Sequence, residues 1–65
     1  MTQKTLEKLT HNVLLHVELL KKDYKRGFLN AGICRTAAYN YTKGLYDAGV
    51  LTEVERRQLF TYITL

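Results

Sequence analysis

Residues 30–41 have the sequence Asn-Ala-Gly-Ile-Cys-Arg-Thr-Ala-Ala-Tyr-Asn-Tyr, in which a glycine precedes a run with helical spacing. The spacing predicts the third helix of the chain, from about Cys34 to Asp47. Its inner face is apolar and mostly small: Cys34, Ala37, Ala38, Tyr41 and Leu45. Its other faces carry groups that can contact phosphates or bases: Arg35, Thr36, Tyr39, Asn40, Lys43 and Tyr46. One helix therefore combines a face suited to close packing with a face suited to hydrogen bonding.

Gly32 is expected to end a short second helix through Phe28, Leu29 and Ala31, because glycine adopts the left-handed conformation without steric cost. Two interpretations of this glycine stay open. It is either an ordinary helix stop before a solvated helix, or the turn of a helix-turn-helix. That motif needs a short helix, a tight turn with glycine, and a second helix whose exposed side enters the major groove of DNA.

Residues 31–41 resemble the turn and recognition helix of helix-turn-helix regulators, especially those of the tetracycline-repressor type. That family shows Ala-Gly-Val-Ser, then a basic or small residue, then a threonine shortly before Tyr-x-Tyr. This chain has Ala-Gly-Ile-Cys, then Arg35 and Thr36, then Tyr-Asn-Tyr at 39–41. The resemblance implies that the residues in the positions of the family's DNA contacts bind DNA here: Arg35, Thr36, Tyr39, Asn40 and Tyr41.

The chemistry of these side chains suits double-stranded DNA. Arg35 can form two hydrogen bonds with guanine, and Asn40 can do the same with adenine. Phosphate contacts are expected from Lys43, Lys25 and Arg26. Because the periodicity puts Tyr41 on the inner face, the predicted DNA-binding residues are the others: Arg35, Thr36, Tyr39, Asn40, Lys43, Lys25 and Arg26.

The amino-terminal third of the chain predicts one long helix, from Thr2 or Thr5 to about Lys22. Its apolar stripe has spacings of three and four: Leu6, Leu9, Val13, Val17 and Leu20. A charged joint follows, and the helix ends either at this joint or at Gly27. The apolar surface of this helix extends beyond the stripe, which predicts a central or shared helix.

The carboxyl-terminal part predicts another helix stop and a fourth helix. Residues 47–50, Asp-Ala-Gly-Val, repeat the Asn-Ala-Gly-Ile pattern and should end the third helix, with Val50 folded back on the core. Thr52 and Glu55 have the spacing of a capping box, which starts the fourth helix. This helix is strongly apolar: Leu59, Phe60, Tyr62 and Ile63.

These elements predict a single domain at 1–65 of the all-α class, a compact self-associating bundle of three to four helices with a helix-turn-helix. Self-association is expected because a chain of 65 residues buries only about 60% of the surface that its unfolded form exposes. The apolar side chains in excess of so small a core form the expected dimer or partner interface: Leu15, Leu19, Phe60 and Tyr62. Coverage by later helices of the same chain is the alternative.

Charge and composition limit the function further. The net charge of +4 favours polyanionic partners. His11 and His16 are five residues apart and would not share a helix face as ligands do at a spacing of four, so neither a metal site nor a cofactor is expected. No motif indicates catalysis or a small-molecule substrate. No apolar run reaches the roughly 18 residues of a membrane span, so a cytoplasmic location without membrane contact is expected.

The expected function is therefore a small DNA-binding transcriptional regulator, acting as a homodimer on double-stranded DNA. The alternative is a protein-interaction adaptor or inhibitor, which binds another macromolecule through an exposed apolar and tyrosine helix face.

Overall fold

The computed structural model describes residues 2–27 and 31–65, and in these ranges the chain forms four helices. They are α1 (Thr2–Glu7), α2 (His11–Arg26), α3 (Ala31–Asp47) and α4 (Glu53–Thr64). The described residues contain no strand. The predicted all-α bundle is therefore confirmed. In this part of the chain, no helix has the length and the apolar character needed to cross a membrane.

The prediction of one long first helix is wrong, because non-helical residues 8–10 separate α1 from α2. Thr10 has an extended backbone (φ −68°, ψ 162°) and caps α2, accepting a hydrogen bond from the Val13 amide at 3.4 Å. At the end of α1 the Lys8 amide bonds the Thr5 carbonyl at 3.2 Å, a tightened last turn. The apolar spacing continues across the break because Leu9 still packs against the core.

The glycine that ends α2 is Gly27, which has φ 63°. Gly32 instead lies in the first turn of α3, and the described glycines with positive φ are Gly27 and Gly49. The predicted helix stop at Gly32 is therefore wrong, and so is a turn of a helix-turn-helix at that position. The predicted short second helix falls mainly on residues 28–30, which lie outside the described residues, while Ala31 belongs to α3.

The end of α3 at Gly49 is confirmed. Gly49 has φ 79°, the Val50 amide bonds the Leu45 carbonyl, and the Gly49 amide bonds the Tyr46 carbonyl, both at 3.0 Å. This pair of bonds is a Schellman motif. The predicted return of Val50 to the core is wrong by one residue, because Val50 is 41% exposed and Leu51 is buried.

The start of α4 has the predicted capping box. Thr52 Oγ1 accepts a hydrogen bond from the Glu55 amide at 3.2 Å, and Glu55 Oε1 accepts one from the Thr52 amide at 2.9 Å. These two bonds satisfy backbone donors that the first turn of a helix leaves free. The boundary between α3 and α4 is therefore specified by local sequence on both sides.

The centre of the bundle is α4, which packs against each of the other three helices. Its Leu59 and Ile63 are 0% and 1% exposed. The fully buried apolar cluster is small: Val17, Ala38, Leu51, Leu59 and Ile63. Of the two predicted roles of the first helix, central or shared, the central one therefore belongs to α4 instead. The shared role stays a prediction, and the outer face of α2, with Leu15 and Leu19, is exposed in the described structure.

Two buried threonines contribute polar contacts that the apolar pattern does not indicate. Thr5 Oγ1 donates to Gln58 Oε1 at 2.8 Å and joins α1 to α4. Thr42, on the inner face of α3, donates to the Ala38 carbonyl at 2.9 Å. Because both hydroxyls are hydrogen-bonded, their burial costs little free energy.

Candidate nucleic-acid interface

The predicted contact residues on α3 lie on its solvent-facing side. All five are exposed: Arg35, Thr36, Tyr39, Asn40 and Lys43. The helical spacing places Thr36, Asn40 and Lys43 along the outermost ridge, whereas Arg35 and Tyr39 face the neighbouring α4. The periodicity of α3 therefore predicted correctly which side of the helix faces solvent.

Some of these polar groups already have partners within α3. Thr36 Oγ1 donates to the Gly32 carbonyl at 2.9 Å, and Lys43 Nζ lies 3.3 Å from Asp47 Oδ2. The side-chain amide of Asn40 makes no hydrogen bond to another described residue. The Lys43–Asp47 pair is exposed on both sides, so it contributes little and exchanges readily for another anion. Asn40 and Lys43 are thus the readiest of these three to contact a ligand.

Tyr41 belongs to the inner side of the helix, as predicted. It is partly buried, and its ring stacks against His16 of α2 with the ring centroids 4.2 Å apart. Burial raises the pKa of its phenol above the ordinary value. A residue engaged in the contact between α2 and α3 is poorly placed to contact DNA, so the contact that the family resemblance implies for Tyr41 is not supported by its position.

The exposed basic residues of the last turns of α2 and the first turns of α3 are here called the basic end: Lys22, Lys25, Arg26 and Arg35. All four are exposed, and none forms an ion pair with a described residue. Cys34 Sγ lies 3.8 Å from the Asp23 carbonyl, which brings the first turns of α3 against the last turns of α2. Asp23 is the acidic residue among these cations. The basic end therefore has a surplus of positive charge that is free to bind an anion.

The opposite end of the bundle has cations in ion pairs. Four cations there share three carboxylates: Lys8 with Glu55, Lys43 with Asp47, and Arg56 and Arg57 with Glu53. A hydrogen bond from Arg56 holds the pKa of Glu53 below its usual value, and one from Lys8 does the same for Glu55. Among the described residues, the cations of the basic end thus lack the ion pairs that these four cations have.

An open groove runs between α3 and the last turns of α4, here called the α3–α4 groove. It has a volume of about 420 Å³ and is lined by Gly32, Arg35, Thr36, Tyr39 and Phe60. The Tyr39 and Phe60 rings meet edge to face at 85°, with their centroids 6.3 Å apart. The Arg35 guanidinium lies over the Phe60 ring, 5.7 Å from its centroid. The groove thus joins an aromatic surface to an unpaired cation.

The four predicted interface residues lie in three separate places. Leu15 and Leu19 are 51% and 58% exposed on the outer side of α2. Phe60 is partly buried and lines the α3–α4 groove. Tyr62 lies between α2 and α4, where its hydroxyl donates to Glu18 Oε1 at 2.6 Å. The four residues therefore do not share one surface of the described structure, and the two that lie together and exposed are Leu15 and Leu19.

Sequence reasoning missed two contributors to these surfaces. Lys22 lies three and four residues before Lys25 and Arg26, so helical spacing could have placed it in the same cluster. Arg56 lies over the Tyr39 ring, 5.6 Å from its centroid. No local signal indicates that contact, because it depends on how α4 packs on α3.

Comparison of the chain with protein-family models, with curated protein sequences and with solved structures found no match. Among the described residues, no group of three or more histidine, cysteine or acidic side chains could hold a metal ion. The function therefore has to be inferred from the surfaces of this chain.

Proposed function

We propose that this protein is a small DNA-binding regulator that places α3 against double-stranded DNA. The observation that carries the proposal is the position of the seven predicted contact residues, all of which are exposed. Three of them, Lys25, Arg26 and Arg35, have no acidic partner in the described structure. A ligand with a high density of negative charge would complement this surface.

The helix pair in this proposal differs from the one that the sequence resemblance suggests. In the proposal α2 is the supporting helix, α3 is the recognition helix, and Gly27 ends α2 in the left-handed conformation. A glycine after the first helix is usual for a helix-turn-helix. Gly27 then has the role that the sequence pattern assigns to Gly32.

The proposed contacts divide into two kinds. Arg35 and Asn40 face base edges, because arginine and asparagine can each form two hydrogen bonds with a purine. Lys25 and Arg26 bind phosphates and fix the position of α3, which adds affinity without sequence preference. Binding of unrelated duplexes should therefore be measurable before any specific sequence is known.

The experiment is a fluorescence-anisotropy titration of a random-sequence duplex at several salt concentrations. Two free cations at phosphates, Lys25 and Arg26, would give a slope of log K against log salt of about −1.8, since each contact adds roughly −0.9. Arg26→Ala should make the slope less steep by about 0.9. Absence of any binding by the folded protein at low salt would refute the proposal.

The matched control is Arg57→Ala, which removes the same charge at the opposite end of the bundle. Arg57 is in an ion pair with Glu53, and its side chain is 73% exposed. Its loss should leave the salt slope unchanged. Equal effects of Arg26→Ala and Arg57→Ala would mean that net charge alone causes the binding and that no particular face is used.

A second candidate function, a protein-interaction adaptor, is favoured by the outer side of α2. A shallow, mainly apolar depression of about 230 Å³ is lined there by Leu15, Glu18, Leu19 and Lys22, here called the α2 leucine face. Two leucines about half exposed and one turn apart are a usual anchor for a helix of another chain. The first partner to examine is a second copy of this chain.

Sedimentation equilibrium of the purified protein measures this association directly. A homodimer should dissociate when Leu19 is replaced by lysine, because a charge would then lie in the apolar contact. Val54→Lys is the control, since Val54 is also exposed, at 63%, but lies on α4. A monomeric wild-type protein at every concentration would exclude the homodimer.

A further inference from the structure

The α3–α4 groove contains a combination of groups that the packing of the helices does not require. Phe60 presents part of its ring to the groove, Tyr39 is 45% exposed, and Arg35 extends over the Phe60 ring. Exposed aromatic rings beside a free cation are costly to leave in water. They are also the groups on which nucleic-acid bases stack.

The groove accepts a planar aromatic group more readily than an extended polar one. Its lining is mainly apolar and includes the rings of Phe60 and Tyr39. The Arg35 guanidinium also lines the groove and can contact a phosphate while a base lies on Phe60. A nucleotide has these two parts at a suitable separation, a flat base and an anionic phosphate.

We propose that the α3–α4 groove binds an unpaired base of a DNA strand, stacked against Phe60 with Tyr39 against the edge of the base, and with the adjacent phosphate on Arg35. The occupant is an unpaired nucleotide, because bases inside a duplex have both faces covered by their neighbours. This inference rests on the DNA binding of the proposed function, not on the duplex form of the DNA, and at the groove Arg35 contacts a phosphate instead of a base edge. The groove gives the protein a preference for single-stranded or locally opened DNA over a closed duplex of the same length.

Exposed cations on the neighbouring helix support a strand as the occupant. Arg35 lines the groove, and Lys22, Lys25 and Arg26 are exposed on the last turns of α2, which contact the first turns of α3 through Cys34 and Asp23. A strand whose base occupies the groove could therefore continue across this cluster through its phosphates. A free mononucleotide would use the groove but not the rest of the cluster.

The test compares two fluorescein-labelled probes, an oligothymidylate and a closed hairpin duplex of similar charge, by anisotropy. Phe60→Leu keeps apolar volume in the core but removes the stacking ring. We expect it to weaken binding of the oligothymidylate about tenfold, a typical effect of losing one base–aromatic stack. Binding of the hairpin should change less than about twofold. Tyr46→Leu is the matched control, because Tyr46 is an exposed tyrosine of α3 that does not line the groove.

Arg35→Lys provides a variant that does not alter the core. It keeps the charge, so the salt slope should be retained, but it loses the planar group that lies over Phe60. A 2-aminopurine base in the single strand gives a separate readout of stacking. Its fluorescence should be quenched by the wild-type protein and by Tyr46→Leu, and less by Phe60→Leu and Arg35→Lys. Mononucleotide should compete only weakly if a strand is the occupant.

The outcomes separate this inference from the proposed function. Hairpin binding without any preference for the single strand, or unchanged 2-aminopurine quenching in Phe60→Leu, would overturn the groove assignment and leave duplex binding standing. Binding of the single strand but not of the hairpin would support the groove and refute the duplex regulator. Absence of binding to either probe would refute both.

Discussion

The position of the break between α2 and α3 can be tested by replacing glycines with alanine. Gly27 has φ 63° and Gly44 lies within α3, and neither would bring a new Cβ within 4 Å of another part of the protein. The same chemical change is thus free of clashes at both positions, and only the backbone conformation differs. Gly32 is the third position, because the sequence pattern puts the break there and the structure places it in a helix.

The expected effects of Gly27→Ala and Gly44→Ala on the free energy of unfolding have opposite signs. A left-handed conformation costs alanine about 1–2 kcal/mol, and the reduced entropy of the unfolded chain offsets about 0.4–1 kcal/mol of this. Gly27→Ala should therefore destabilise the protein by about 1 kcal/mol. Gly44→Ala should stabilise it by up to about 1 kcal/mol, the difference in helix propensity. Gly32→Ala should also stabilise the protein, because Gly32, like Gly44, lies within α3. Each kcal/mol shifts the melting temperature by about 4–8 °C in a domain of this size.

The assay is urea unfolding followed by far-ultraviolet circular dichroism, with thermal melting as a second measure. Gly44→Ala controls for the general effect of removing a glycine. If Gly32→Ala were to destabilise the protein while Gly27→Ala stabilised it, the helix stop would lie at Gly32, and the helix pair proposed for DNA binding would be wrong. Equal stabilisation by all three changes would show that Gly27 does not hold a left-handed turn.

Three further predictions concern α4 and its contacts. Thr52→Ala should destabilise the protein by about 1 kcal/mol in urea unfolding, because it removes the capping-box acceptor. The hydrogen bond from Lys8 lowers the pKa of Glu55 from 4.5, so its stabilisation is present above that pH and is lost as the pH falls through the folded-state pKa. Glu55→Gln, which can still cap, should therefore reduce the acid dependence of unfolding, and an unchanged pH profile would contradict this. The hydrogen bond to Glu18 raises the pKa of Tyr62 above 10.0, so its stabilisation is present below that pH and is lost as the pH rises through the folded-state pKa. Tyr62→Phe should remove this alkaline loss in a spectroscopic titration of unfolding.

Local signals in the sequence predicted the parts of the fold that depend on local chemistry. The Thr52–Glu55 capping box and the left-handed Gly49 are each complete within a few residues, and both are confirmed. The inner and outer faces of α3 also follow from periodicity alone. Such features need no knowledge of what packs against them.

The errors arise where two local signals compete. Thr10 and its neighbours interrupt the helix between α1 and α2. The stripe of leucine and valine nevertheless continues on both sides, because α1 and α2 bury their apolar faces in the same core. Gly27 and Gly32 are both plausible stops from sequence. Nothing in the local sequence indicates that α3 already begins at Ala31, so that Gly32 lies inside its first turn.

The sequence predicts which side chains of α3 are exposed, but not how they are arranged with residues of α4. The exposed side chains of α3 follow from helical spacing, but their grouping with Phe60 depends on the packing of α4 against α3. The sequence therefore predicts one interface for Phe60 and Tyr62, whereas in the structure Phe60 lines the α3–α4 groove and Tyr62 contacts α2. Long-range contacts of this kind have no signature at a fixed sequence separation.

The effect of Leu19→Lys on DNA affinity, a gain or a loss, shows whether the α2 leucine face contributes to DNA binding. The α2 leucine face and the α3–α4 groove share no lining residue. Leu19→Lys adds a positive charge, so it should slightly strengthen DNA binding if α2 only faces solvent. If the leucine face pairs two chains, each dimer presents two α3 helices, and linkage of two binding units raises affinity without a new contact. Leu19→Lys should then weaken DNA binding despite its added charge, and a loss of affinity together with dissociation to monomers would connect the dimer to DNA binding.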